Sequence, residues 1–368
     1  MTTNLIGARI KALREERRLS QDDLARIFGF KDRQTVSAIE TGERRVTAKE
    51  LVIAVEKLGA SLDYFTNPFL LVGEGRFSWR QTNVGPQALS GYERSAGRWI
   101  AAYRALSPQV GRAAPLLRRS LGITPRHSFE DAMEAGERFV AEFRLGDVPA
   151  EGLAEVMERE LGILVLRVDA FEGISGAACR LPELDVVLIN RNEVVGRRNF
   201  DLAHELFHIL TWDTMPPDHS EAAVETGGNR VEQLANNFAS AVLMPAKVLD
   251  GIADWPALAD NALVERLNGA ADELNVTASA LKWRLVALGR LKPARALAIS
   301  DAALRNNGRG ETAGAVPPPF SKPFIEVVGL AVEGGHVSAR RASGLLDLTV
   351  DDFGDLFEIY GVPSPIEL

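Results

Sequence analysis

His204, Glu205 and His208 stand in the order His-Glu-x-x-His within the stretch Asn199 to Leu210. Phe200, Ala203, Leu206, Phe207 and Leu210 recur there at helical spacing, with no Pro or Gly to interrupt them. On a helix, residues four apart share one face, so the two imidazoles lie one turn apart on the same side. Two neutral imidazoles in that relation can grip one Zn²⁺. A carboxylate next to them can take a proton from a water that the metal activates. The chain holds only five His, which makes a chance occurrence of this pattern uncommon.

Such a centre needs a third protein ligand and one open position. The next helical run, Asn229 to Met244, carries Val231, Leu234, Phe238, Ala241 and Val242 on one face and is stopped by Pro245. Glu232 lies near its start, on the flank of that face, and antiparallel packing of the two helices would bring it towards the His pair. From the residues alone Glu232 is equally a solvated helix carboxylate. Glu221 and Glu225 compete with it, as do Asp213 and His219 more remotely. His-Glu-x-x-His followed by Glu-x-x-Ala-Asn-x-Phe-Ala and then Leu-Met-Pro resembles the ImmA/IrrE family of metallopeptidases. That resemblance covers about residues 128–290. It implies His204, His208 and Glu232 as metal ligands, Glu205 as general base, and Zn²⁺ as the cofactor, with another divalent ion such as Mn²⁺ as a substitute.

The elements that must position this site precede it. Ser128 caps a helix running to about Phe143, and Pro149 to Leu161 form another. Ile163 to Val168, Ser175 to Cys179 and Val186 to Ile189 are short and β-rich, which predicts a small antiparallel sheet. A sheet edge beside a metal cleft would hold an extended substrate strand through backbone hydrogen bonds. Asp213 to Asn229, rich in Pro and Gly, reads as a loop over the cleft. Thr277 to Leu288 is a later helix, with Arg284 read as a surface ion pair or a cleft residue.

The N-terminal segment carries a second pattern. An apolar stripe from Leu5 to Leu13 opens it, Ser20 caps a short helix that ends at Gly29, and Arg33 to Thr41 form a third helix with Val36 and Ile39 inward. Arg-x-x-x-x-Leu-Ser-Gln-x-x-Leu-Ala followed by Arg-Gln-Thr-Val-Ser-x-Ile-Glu-x-Gly resembles the Xre/Cro-type helix-turn-helix. In that fold the third helix enters the major groove. The resemblance implies Gln34, Thr35 and Ser37 for base readout, with Arg33, Arg44, Arg45 and Lys49 towards phosphates. Residues 1–68 hold 12 Lys and Arg against 10 Asp and Glu, a net of +2, within a chain of net charge −8. So weak a positive charge points to DNA binding as a homodimer.

The expected fold is multidomain and mainly α with a small antiparallel sheet. A five-helix DNA-binding domain at 1–68 is followed by a linker and connecting helical hairpin at 69–127. A zincin-like α+β metallopeptidase domain follows at 128–295, and a small helical C-terminal module at 320–368. Phe77 and Trp79 alternate with polar residues as in an edge strand, although their rings and the nearby Arg could also stack single-stranded bases. A single cysteine, Cys179, excludes an intramolecular disulfide and fits a reducing cytoplasm. No apolar run reaches membrane-spanning length, and none resembles a signal peptide. The resemblance implies a peptidase that cuts transcriptional repressors under stress or DNA damage. With a repressor-like domain on the same chain, the substrate is a separate repressor or the chain itself, cut within 67–86, and double- or single-stranded DNA is a plausible trigger. The competing expectation is a transcriptional regulator whose peptidase-like domain senses a metal or ligand without turnover.

Overall fold

The computed structural model describes residues 5–112, 118–222, 229–305 and 315–365. The described chain opens with α1 (Leu5–Glu16), α2 (Gln21–Phe28), α3 (Arg33–Thr41), α4 (Ala48–Leu58) and α5 (Leu62–Thr66). Then come β1 (Arg76–Gln81), α6 (Pro86–Leu106), α7 (Phe129–Phe143), α8 (Pro149–Arg159), β2 (Ile163–Val168), β3 (Ile174–Arg180) and β4 (Asp185–Asn190). The metal-motif helix α9 (Val195–Thr211) is followed by β5 (Ser220–Ala222), α10 (Arg230–Leu243), α11 (Ala246–Ile252), α12 (Asp260–Glu273), α13 (Ala278–Ala287) and α14 (Pro293–Ala298). Last are α15 (Lys322–Glu333), α16 (Ala339–Leu345) and α17 (Val350–Tyr360). The protein is mainly α with one small sheet.

Contacts gather the chain into two compact units. The first comprises residues 1–76, 87–113 and 326–368. Its N-terminal five helices enclose Ile10, Leu13, Leu24, Phe28, Val36, Ile39, Leu58 and Phe65. Ser20 and Asp23 form a capping box at α2, and Gly29 ends that helix in the left-handed conformation (φ 71°) that glycine adopts without strain. Arg9 is fully buried and donates to the carbonyls of Tyr64 (2.7 Å) and Leu70 (2.6 Å), which ties the segment after α5 to α1. Among the described residues a single helix, α6, stands where the sequence predicts a connecting hairpin, and turns follow it to Gly111.

The second unit comprises 77–86 and 114–325. Its five-stranded sheet has the order β2-β4-β3-β1-β5. The sheet is mixed, not antiparallel throughout. β4 turns back from β3 through Leu181–Leu184 and pairs with it antiparallel, then lies parallel to β2 on its other side. β1 runs parallel to β5. Short β-rich runs carry no signal of direction, so only the connections decide it. β3 and β4 are buried along their whole length, Cys179 included, beneath α9. On the other side of α9, Phe207 meets Phe238 of α10 (5.5 Å between ring centres), and Phe238 meets Phe139 of α7 (6.1 Å). The α7–α10 approach is close enough that a β-carbon at Gly136 would stand 2.7 Å from the Phe238 carbonyl oxygen.

Candidate metal centre

Burial of one helix against a sheet and a second helix builds the site. α9 turns Leu202, Ala203, Leu206, Phe207 and Leu210 into the core, and its motif residues are enclosed with them. His204 and His208 have no solvent exposure, and Glu205 has 1%. On α10 the Asn229 side chain accepts from the Val231 and Glu232 amides (2.9 and 3.0 Å), which fixes Glu232 in the first turn. The α9–α10 packing carries that carboxylate to the imidazole pair.

The three residues converge as a triangle of donor groups, with both carboxylate oxygens of Glu232 turned to the imidazole pair. His204 Nε2 lies 3.0 Å from His208 Nε2 and 3.2 Å from Glu232 Oε2, and His208 Nε2 lies 3.2 Å from Glu232 Oε1. Tetrahedral zinc with bonds of about 2.0 Å separates its ligands by about 3.3 Å, and each of these pairwise separations is close to that, with Glu232 reached through one oxygen from His204 and the other from His208. Among the described residues this is the group of three His, Cys, Asp or Glu side chains able to hold a metal. His204 Nδ1 lies 2.9 Å from Asn236 Oδ1. An amide oxygen only accepts, so Nδ1 carries the proton and Nε2 keeps its lone pair for a ligand bond. Burial, reinforced by Arg80, pushes the His204 pKa down to about 3, which leaves the ring neutral. Glu205 is held well above the usual carboxylate range by burial, against the lowering effects of Arg80 and the Ala178 amide of β3.

Arg80 and Asp201 complete the cluster. Asp201, one helical turn before Glu205, is buried, and its pKa is raised by desolvation, which Arg80 offsets. Arg80 of β1 pairs with it (Nε–Oδ1 3.0 Å) and reaches to 3.7 Å from Glu232 Oε2. Its Nη1 stands 3.1 and 2.9 Å from the two nitrogens of the His204 ring. Near-equal distance from both, without a clash, places it over the ring face.

The competing carboxylates lie elsewhere. Asp213 pairs with Arg180 (3.0 Å) with its side chain largely in solvent. His219 is exposed, and its carbonyl accepts from the Trp79 amide. The backbone of Glu221 lies in β5 opposite Arg80, and Glu225 falls outside the described residues. Arg284 is buried and holds Glu137 (2.6 Å) and the Met244 carbonyl (3.1 Å), so it neither faces the cleft nor lies at the surface. Phe77 and Trp79 are buried with their rings stacked 5.3 Å apart, so single-stranded bases find no platform there. Sequence reasoning missed Arg80, Asp201 and Asn236. Asn236 was within sight in the Glu-x-x-Ala-Asn spacing, and Asp201 sits one turn from Glu205. Arg80 comes 124 residues before His204, so no local spacing announces it.

In the first unit, Arg33 and Gln34 are exposed at the start of α3, with Thr35 and Ser37 half-buried beside them. The Asp32 side chain caps α3 by accepting from the Thr35 amide (3.2 Å). Arg45 and Lys49 are exposed. Arg44 is bound up in a two-point pair with Glu50 (2.6 and 3.1 Å).

Two helices that bring a His-Glu-x-x-His pair and a distant Glu together define a metallopeptidase-type domain. Residues 158–285 match the IrrE N-terminal-like domain of peptidase family M78, and residues 10–65 match the helix-turn-helix family. The chain thus joins a helix-turn-helix DNA-binding domain to an IrrE-like peptidase-family domain. No curated protein and no solved structure matches it.

Proposed function

We propose that this protein is a DNA-associated metalloendopeptidase. The convergence of His204, His208 and Glu232 beside Glu205 carries that reading. These residues would hold Zn²⁺, which supplies Lewis acidity and lowers the pKa of water near it. Glu205 takes the proton of the attacking water on its carboxylate and returns it to the departing amine nitrogen. Asn236 keeps the His204 ring turned with Nε2 towards the ligand triangle. The substrate is a transcriptional repressor or the chain itself, with stress or DNA damage as the occasion. The helix-turn-helix places the peptidase at its regulatory target, with Gln34, Thr35 and Ser37 at base edges, Arg33 and Arg45 at phosphates, and two copies on one operator.

Purified protein incubated with zinc, DNA and candidate repressors tests this by the appearance of new fragments, with Glu205→Gln as control. Near-complete burial of the donors favours one other reading, a regulator that binds metal as a sensor without turnover. Zinc binding with no fragments under any condition, and regulation unchanged in Glu205→Gln, would select that reading.

A further inference from the structure

A peptidase site needs a group, besides the metal, to receive the charge that builds on the scissile carbonyl oxygen. We propose that Arg80 is that group and that Asp201 is its positioning residue. This rests on the peptidase reading for its chemistry, but the anion-binding site itself does not.

Four observations carry it. The guanidinium sits beside the donor triangle, 2.9 Å from His204 Nε2 and 3.7 Å from Glu232 Oε2. Its place over the face of the His204 ring leaves the in-plane lone pair of Nε2 clear, so Arg80 and a metal ion can be present together. The side chain is anchored by Asp201, a buried carboxylate with no part in holding the metal. The strand beneath is also fixed. Trp79 is buried, and the Thr82 amide donates to the Gly173 carbonyl (2.7 Å). A donor held this way needs no reorganisation when charge appears.

The step balances as follows. The water oxygen bonds to the carbonyl carbon, its proton passes to Glu205, and the C=O electron pair moves onto the carbonyl oxygen, which accepts hydrogen bonds from the Arg80 guanidinium. When the C–N bond breaks, the electron pair returns to re-form the carbonyl and the proton on Glu205 goes to the amine.

Inorganic phosphate, a tetrahedral anion small enough for an enclosed site, probes Arg80 without turnover. Calorimetry on zinc-loaded protein should show phosphate binding that is absent from the metal-free protein. Arg80→Gln should weaken it about 10- to 100-fold, with zinc affinity within about threefold of wild type. Arg80→Lys should recover part of the loss, and Asp201→Asn should produce a smaller loss. Thermal melts establish that each variant is folded, and for a cleaved substrate Arg80→Gln should lower kcat with little change in KM. Phosphate affinity unmoved by Arg80→Gln, no phosphate binding to the zinc-loaded protein, or tighter zinc binding in Arg80→Gln would each overturn the assignment, the last by showing that Arg80 competes with the metal. The phosphate pattern without peptide cleavage would instead overturn the peptidase reading and leave the anion site standing.

Discussion

At the scale of single residues, the site is a set of charges that burial makes expensive and neighbours make tolerable. His204→Ala, His208→Ala and Glu232→Gln each remove one corner of the donor triangle. Each should reduce zinc affinity by more than about tenfold in a chelator competition, whereas Glu205→Gln should keep the metal. A half-buried acid, Glu158, gives a pH signature outside the site. Desolvation raises Glu158 from 4.5 to about 7, partly offset by the Val165 amide. Because the folded state binds this proton more tightly than the unfolded state does, the contribution of Glu158 to stability is full below about pH 4.5 and is lost as pH rises through 7. Glu158→Gln should abolish that slope and gain on the order of 3 kcal/mol at pH 8 relative to wild type, read from urea unfolding at pH 5 and pH 8. An unchanged slope would show that Glu158 is not the group responsible.

At the scale of elements, the zinc helix holds its place because its neighbours leave no room to shift. Gly136 of α7 lets α10 approach until a β-carbon would meet the Phe238 carbonyl oxygen at 2.7 Å and Ala241 Cβ at 2.9 Å. Gly136→Ala should therefore push α10 away, cost about 1–3 kcal/mol in a thermal or urea melt, and weaken zinc binding by moving Glu232. A melt like that of wild type would contradict this packing. The elements most legible in the sequence are those with local causes. The capped starts of α2 and α7, the glycine stop of α2, and β2 follow from side chains within four residues of each boundary. His204, Glu205 and His208 were legible for the same reason, since a single helical period sets them. The direction of the strands was not, because pairing β2 parallel to β4 depends on connections and not on strand composition. Nor was the reach of Arg80 from β1 into the site, because two segments 124 residues apart meet only once the sheet has formed. The alternation of Phe77 and Trp79 with polar residues made a strand legible, but not its place in the sheet. The strand that follows from it lies inside the sheet order, between β3 and β5.

At the scale of the whole molecule, a DNA-binding domain and a peptidase-family domain share one chain. No helix among the described residues is long and apolar enough to cross a membrane. In operator titrations, Arg45→Ala should weaken binding alike across sequences and reduce the salt slope by about 1, whereas Gln34→Ala should cost about 1–3 kcal/mol and relax preference at one base pair. Arg44→Ala should also lower the stability of the first unit, because its guanidinium is committed to Glu50. The most direct test of the central claim is intact-mass spectrometry of the zinc-loaded protein, incubated with DNA and candidate repressors beside the Glu205→Gln variant. Both forms should carry one zinc, and only the wild type should generate fragments of a repressor or of itself. Fragments formed equally by the variant, or a wild type whose zinc content is unchanged by His204→Ala, would contradict the account.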